Sequence, residues 1–291
     1  MNKRADYRHL LEWSLLSNAA FDTPLNVKRL IHFKMVPLFS KFSHENRAVS
    51  DGGASLDKIW PKAILLDFFG TVVQEDFVPI ICKKISASSS MKPDITEISS
   101  FWGTSYAQLC SQSVGSLFRI QKELERIILQ NILQRFHSEL DIDDLSQFLF
   151  QCWARPSIFP ESKVILSQCN IPICLVSNID NGELKSAIKY HNLIFDYVVT
   201  SEDCRSYKPN KEMFDKALSL LGLNSKEVLH IGDSPSSDVA GAKLSGIPVL
   251  WVNRNNKPIP GGIPKPDFVC QDLTGLQNIL FLKDGTKSNP K

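Results

Sequence analysis

A few polar residues stand at the ends of short apolar runs, and their types suit one chemistry. Asp67 follows AILL, Ser177 and Asn178 follow ICLV, Asp233 follows VLHIG, and Lys208 comes a short loop after FDYVVTS. In an open α/β sheet, ligands bind beyond the carboxyl ends of the strands, so residues at those ends converge on one edge. A carboxylate nucleophile, a hydroxyl, an ammonium and a second carboxylate gathered there are the equipment for phosphoryl transfer. They supply a nucleophile, a charge clamp and a metal ligand.

The elements that must position these groups can be read from the surrounding pattern. AILLDFFGTVV is a continuous apolar run ending on an aspartate and a Gly-Thr turn, and four further runs start at Ile173, Phe195, Val228 and Pro248. Short apolar runs bounded by turns suit strands buried on both faces of a parallel sheet. The stretches GELKSAIKYHN, KEMFDKALSLLG and SSDVAGAKLSG between them read as helices. Strands alternating with helices imply right-handed βαβ units and an α/β fold with a doubly wound parallel sheet.

A long insertion, roughly 76–160, separates the first strand from the second. Apolar residues at three- and four-residue spacings predict a helix over about 116–136, with Ile120, Leu124, Ile127, Ile128 and Leu133 inward and Lys122, Glu123, Glu125 and Arg126 among the polar positions. A second helix is expected from Asp143 or Asp144, with Leu145, Phe148, Leu149 and Cys152 on one face. An α-helical cap is the economical reading. Residues 61–75 and 161–283 would then be the α/β core, 284–291 a flexible tail, and 1–60 an N-terminal extension with two short amphipathic stretches and a polar linker.

Composition narrows the partners. With 33 basic and 31 acidic residues the formal net charge is +2, which gives no electrostatic case for nucleic acid. No apolar run is long enough to predict a membrane span. The seven cysteines form no CxxC pair, so buried free thiols in a reducing cytoplasm are expected rather than disulfides or zinc. The N-terminus lacks a clean secretory h-region. A cytoplasmic monomer or homodimer is the resulting expectation.

Four motifs in order carry a resemblance: DFFGTV at Asp67, VSN at Ser177, YKPNKEMF around Lys208, and HIGDSPSSDVAGAKLSGIPVLWVNR from His230. Together they resemble the haloacid dehalogenase-like hydrolase superfamily over about Lys62 to Asp272. The resemblance implies a Rossmann-like core and Asp67 as a nucleophile forming an aspartyl-phosphate. Lys208 and Ser177 would hold phosphoryl oxygens, with Asn178 and Thr71 in the phosphate-binding set. Asp67, Asp233 and the backbone carbonyl of Phe69 would bind Mg²⁺, and Asp238 would orient Lys208 or the metal's waters.

Phe69 departs from the pattern. Phosphatases of the family usually carry there a second aspartate that protonates the leaving group. Glu75 and Asp76 follow in the same loop as substitute acids or simply as exposed loop residues. His230, inside an apolar strand, reads as a hydrogen-bonded core residue. Trp102, Phe118, Phe136, Phe148 and Trp153 read as cap core, with room for one or two of them to face the cleft. Three functions stay open: an Mg²⁺-dependent hydrolase of a small phosphorylated molecule, a metal-independent dehalogenase, and a weakly catalytic binding domain.

Overall fold

The computed structural model describes residues 61–280. The N-terminal extension with its amphipathic stretches, and the tail at 284–291, lie outside the described residues. Within them six strands form one parallel sheet: β1 (Ala63–Leu66), β2 (Ile173–Ser177), β3 (Tyr197–Thr200), β4 (Val228–Gly232), β5 (Val249–Val252) and β6 (Phe268–Cys270), in the order β3-β2-β1-β4-β5-β6. Chain order runs outward from β1 to β3 and then reverses at β4. That reversal opens a crevice at the carboxyl ends of β1 and β4, where an α/β sheet binds its ligands.

Alternation along the strands explains why both faces are covered. Ile64, Leu66, Leu175, Leu229, Ile231, Leu250 and Val252 join one apolar cluster. Their neighbours Ala63, Leu65, Cys174, Val176, Val228, Val249 and Trp251 join another. Successive side chains point to opposite faces, so a run that is apolar throughout needs a layer on each side. After the short α7 (Ser201–Cys204), helices α8 (Lys211–Leu221) and α9 (Ala240–Leu244) cover the second face through Met213, Phe214, Ala217 and Ala242. The first face takes α5 (Ser162–Gln168), α6 (Asn181–His191) and α10 (Gly275–Leu280), through Ile165, Leu184 and Leu276.

The insertion is helical among the described residues: α1 (Phe77–Ser88), α2 (Ile95–Gln112), α3 (Gln121–Arg135) and α4 (Ile142–Ala154). Its apolar faces share the first cluster with Phe68, Val72 and Val73, so packing runs unbroken from the sheet into the inserted helices. The sequence reading of this region needs several corrections. The helix expected over 116–136 begins only at Gln121, after a separate 3₁₀ turn at Gly115–Leu117. Glu125, read as a polar position, is only 5% exposed, while Leu129 and Ile132 complete the buried face. Asp141, not Asp143 or Asp144, caps α4, accepting hydrogen bonds from the amides of both later residues.

Two contacts fasten the insertion to the site loops. The Asp180 carboxylate, just after β2, accepts hydrogen bonds from the amides of Gln121 and Lys122 at 2.7 and 3.0 Å. A carboxylate satisfies the orphan amides of the first helical turn and sits at the positive end of the helix dipole. Ile120, at the N-cap of α3, offers no side-chain acceptor, so the core supplies one. The Tyr207 hydroxyl, next to Lys208, donates to the Arg119 carbonyl at 2.8 Å. Both contacts place the start of α3 against the loops that carry Asn178 and Lys208.

Candidate active site

The strand-end residues singled out above meet in one cavity of about 700 Å³. Asp67, Phe69, Ser177, Asn178, Lys208, Asp233 and Asp238 all line it. At its floor lies Lys208, 3% exposed, whose ammonium donates to Asp67 Oδ1 at 2.7 Å, Asp238 Oδ1 at 2.7 Å and the Val176 carbonyl at 2.9 Å. Those three bonds use all its protons. The lysine is thereby fixed between the two carboxylates it must compensate. Burial alone would lower its affinity for a proton, but Asp238 and Asp67 outweigh that and hold it firmly protonated.

The acids respond differently to the same neighbourhood. Burial would raise Asp238, yet the Lys208 charge and the hydrogen bond with His230 Nε2 hold it well below the usual carboxylate range. His230 thus occupies the hydrogen-bonded core position expected for it. Burial raises Asp67; Lys208 pulls the other way, and the Asp238 charge adds to the rise. Asp233 is pushed well up by burial and then by the charges of Asp67, Glu75 and Asp238. None of the described hydrogen bonds or ion pairs reaches the Asp233 carboxylate, although an oxygen from each of Asp67, Asp233 and Asp238 lies within 4.8 Å of the others.

Local backbone explains how these groups approach so closely. Gly70 has φ +79°, and a Cβ there would meet Asp233 Oδ2 at 2.3 Å. The turn after Asp67 therefore needs glycine both for its conformation and for the carboxylate packed against it. A Cβ on Gly232 would lie 2.3 Å from Asp238 Cγ. Asp233 is further held through its backbone carbonyl, which accepts from Trp251 Nε1 at 2.8 Å.

Some expected residues sit one step back from the cavity. Thr71 is fully buried and donates to Asp67 Oδ2 at 3.0 Å. Asn178 lines the cavity, but its amide oxygen accepts from the Lys208 backbone N–H at 2.8 Å, so it also places the lysine. Ser177, only 2% exposed, lines the cavity beside Asp67. Phe69 sits on the cavity wall, edge-on to Phe68 and Phe77 at 5.4 and 6.4 Å between ring centres. Asp76 is exposed and accepts from the Ser157 hydroxyl, whereas Glu75 faces the cavity. Glu75 is exposed by area, although it lines the cavity and is there partly stripped of water by its neighbours. That desolvation, then the charges of Asp67 and Asp238, push it up to about 7.

Glu125 and Arg254 escaped the sequence reading, whereas Trp102 was among the aromatics of which one or two were expected at the cleft. Glu125 and Trp102 line the cavity from α3 and α2, the indole N–H donating to Glu125 Oε2 at 2.7 Å. Trp102, Phe136 and Trp153 are buried as expected of cap core, and Trp102 and Trp153 are the two that also form cavity wall. Arg254 donates to the carbonyls of Gly70 and Thr71, at 3.2 and 2.7 Å, and to Glu161 at 2.8 Å, while its guanidinium lies 3.3 Å from the Phe159 ring centre. The VNR tripeptide was the available signal; what it holds was not. Arg254→Met should lower stability by about 2–4 kcal/mol in chemical denaturation, because two loop carbonyls and Glu161 lose a partner. Arg254→Lys should recover little, since a point ammonium cannot replace the planar fork.

Among the described residues no helix is long and apolar enough to cross a membrane. The family described as haloacid dehalogenase-like hydrolase matches residues 64–252, which include every strand-end group above. An (S)-2-haloacid dehalogenase of Pseudomonas fluorescens is 24% identical over 60% of this chain and 89% of its own. A phosphoserine phosphatase of Thermus thermophilus is 28% identical over 40% of this chain and 48% of its own. Among solved structures, the L-2-haloacid dehalogenase RSc1362 superposes with a TM-score of 0.67 at 20% identity, covering 76% of this chain and 99% of that one. The HAD-hydrolase YfnB from Bacillus subtilis bound to magnesium gives 0.60 at 20% identity, over 76% and 98%. The parallel sheet, the ordered strand-end residues and the family match over more than half the chain agree, and the chain belongs to the haloacid dehalogenase-like hydrolases.

Proposed function

We propose that this hydrolase acts on a small phosphorylated molecule, with Asp67 as nucleophile and Mg²⁺ held by Asp67, Asp233 and the Phe69 carbonyl. The observation that carries the reading is the Asp233 carboxylate. It lies against Asp67 without a hydrogen-bond donor or ion-pair partner of its own among the described residues. Lys208 compensates Asp67 and Asp238 and has no proton left for a third acid. An oxygen-lined site with one carboxylate in excess is chemistry that suits a hard divalent cation. When bound, Mg²⁺ would neutralise charge on the transferring phosphoryl oxygens.

The chain's own residues then divide the work. The Asp67 carboxylate attacks phosphorus as the P–O bond to the organic group breaks, leaving an acyl phosphate that water hydrolyses to regenerate the aspartate. Lys208 favours the ionised form of Asp67 against burial and orients it, and Thr71 steadies its second oxygen. Asp238, tied to Lys208, His230 and the Ser234 amide, holds the lysine in place. The Ser177 hydroxyl offers a donor to a phosphoryl oxygen. The inserted helices enclose the cavity, which limits water around the reacting groups.

Dehalogenation is the second reading, supported by Phe69, since a halide leaves without a proton, and by the haloacid dehalogenase relatives. Against it, a haloacid would bring its own carboxylate into a cavity lined by Asp233, Glu75 and Glu125. The deciding experiment is a panel of aryl phosphates, acyl phosphates, pyrophosphate and 2-haloacids, assayed with Mg²⁺ and with chelator. Phosphate release only with metal supports the phosphatase reading. Halide release in the presence of chelator overturns it.

A further inference from the structure

The far end of the cavity has a character of its own. Its wall from the inserted helices contains Glu125, Gln121, Trp102 and Tyr106, and no lysine or arginine from those helices lines it. Glu125 is 95% buried by area, the complement of its 5% exposure. Only its Oε2 takes a hydrogen bond from a described residue, the Trp102 indole. Gln121 presents a buried amide oxygen with no hydrogen-bond partner. Glu75 lines the same cavity, and its charge raises Glu125 while the charges of Asp67 and Asp238 raise Glu75 itself.

Resting on the phosphatase reading, we propose that Glu75 and Glu125, with the rings of Trp102 and Tyr106, form a subsite for a positively charged organic group on the substrate's leaving portion. A buried carboxylate without a cation is costly, and the general remedy is pairing. The indole donor supplies one neutral hydrogen bond and no charge. Burial first, opposed by the Trp102 bond, and then the Glu75 charge push Glu125 up to about 8. A cation beside Glu125 would relieve that cost, and the Glu75 charge on the same cavity would add to the attraction. Charge-assisted hydrogen bonds to the carboxylates select an ammonium or guanidinium over a neutral group, with Trp102 and Tyr106 as the adjoining wall. Arg254 and Lys257 also line the cavity, but both come from the loop after β5, on the core, and not from this wall.

The test compares 2-aminoethyl phosphate with propyl phosphate, its neutral isostere, and with carboxymethyl phosphate as the anionic probe. In wild type with Mg²⁺, kcat/KM should favour aminoethyl over propyl by about tenfold or more, with carboxymethyl poorest. Glu125→Gln and Glu75→Gln should each bring the aminoethyl-to-propyl ratio toward one. Glutamine keeps the size of glutamate and an acceptor for Trp102, so the fold has little reason to fail. Both esters are alkyl, so loss of a mere proton donor at Glu75 would slow them equally and leave the ratio unchanged. Calorimetric binding of the same esters to Asp67→Asn gives a second readout that needs no turnover. Failure of wild type to hydrolyse any phosphate would overturn the phosphatase reading, and the binding arm would still decide the subsite. Equal binding of aminoethyl and propyl phosphate, or a ratio insensitive to both glutamine variants, would overturn the proposal.

Discussion

Asp233→Asn should reduce magnesium-dependent hydrolysis of an aryl phosphate by roughly 10³-fold or more while leaving the protein folded. The loss follows from charge. Removing one of two metal carboxylates forfeits several kcal/mol of transition-state stabilisation, and each 1.36 kcal/mol is tenfold in rate. The fold is spared because asparagine keeps the shape packed against Gly70, and the Trp251 indole bonds to the backbone carbonyl rather than the side chain.

The same substitution makes a second prediction that requires no activity. Asp233 is raised well above the ordinary 3.8 by burial and by its acidic neighbours. In metal-free protein the folded state therefore binds more protons than the unfolded state. Stability is fully present below the unfolded value near 4 and falls as pH rises toward the folded one. At neutral pH without metal, Asp233→Asn should be as stable as wild type or more so. Added Mg²⁺ should raise the Tm of wild type, by mass action on the folded state, and leave the variant unmoved. A wild-type enzyme with full turnover in chelator, and a Tm indifferent to Mg²⁺, would remove the metal from the mechanism and favour dehalogenation.

The floor of this site was legible in the sequence, and its roof was not. Asp67, Ser177 and Asp233 could be found because each ends an apolar run, and Lys208 because it follows one by a short loop. The sheet then brings strand ends together whatever the loops do. Each of these inferences is local, needing one strand and the polar residue after it. The three residues of β6 were too short to stand out as an apolar run. Helices α1 and α2 were missed for another reason. FVPIICKKISAS carries Pro79 in its first turn, where the missing N–H costs nothing, and ITEISSFWGTSYAQLCSQ is rich in Ser, Thr and Gly. Their intrinsic preference is weak, and packing on the insertion's core decides them. Glu125 shows the limit most clearly. A glutamate on a helix reads as solvent-facing until Trp102, 23 residues earlier, is seen to bond it. Arg254 and the Thr71 carbonyl are 183 residues apart. Nothing in either neighbourhood announces the other.

Phe69→Asp should raise turnover of alkyl phosphates relative to aryl phosphates by about 10²-fold, the lower end of what a positioned general acid contributes. An alkoxide is a poor leaving group and needs a proton as the P–O bond breaks, whereas an aryl oxide departs with little help. Wild type, with a phenyl ring at this position, should accordingly favour aryl phosphates, acyl phosphates and pyrophosphate. The geometry supports the exchange. Phe69 lines the cavity two residues after the nucleophile, and its carbonyl, the expected metal contact, survives any substitution of the side chain. A new carboxyl there would stand among Asp67, Asp233 and Glu75, whose charges would raise it and keep it protonated near neutral pH, the state an acid must have. Its cost is the lost edge contacts with Phe68 and Phe77, each worth about 0.5–1.5 kcal/mol. Glu75 is the competing donor, since it faces the cavity and is pushed up to about 7. Were Glu75 already the acid, Glu75→Gln would slow alkyl esters far more than aryl ones, and the basic limb of the kcat–pH profile near 7 would disappear. Asp76→Asn should change neither, because that side chain is exposed and accepts from Ser157. The measurement is kcat/KM for one aryl and one alkyl phosphate across wild type and these three variants. Equal wild-type rates on both esters, unaffected by Glu75→Gln or Asp76→Asn, would show that the leaving group needs no proton from this site.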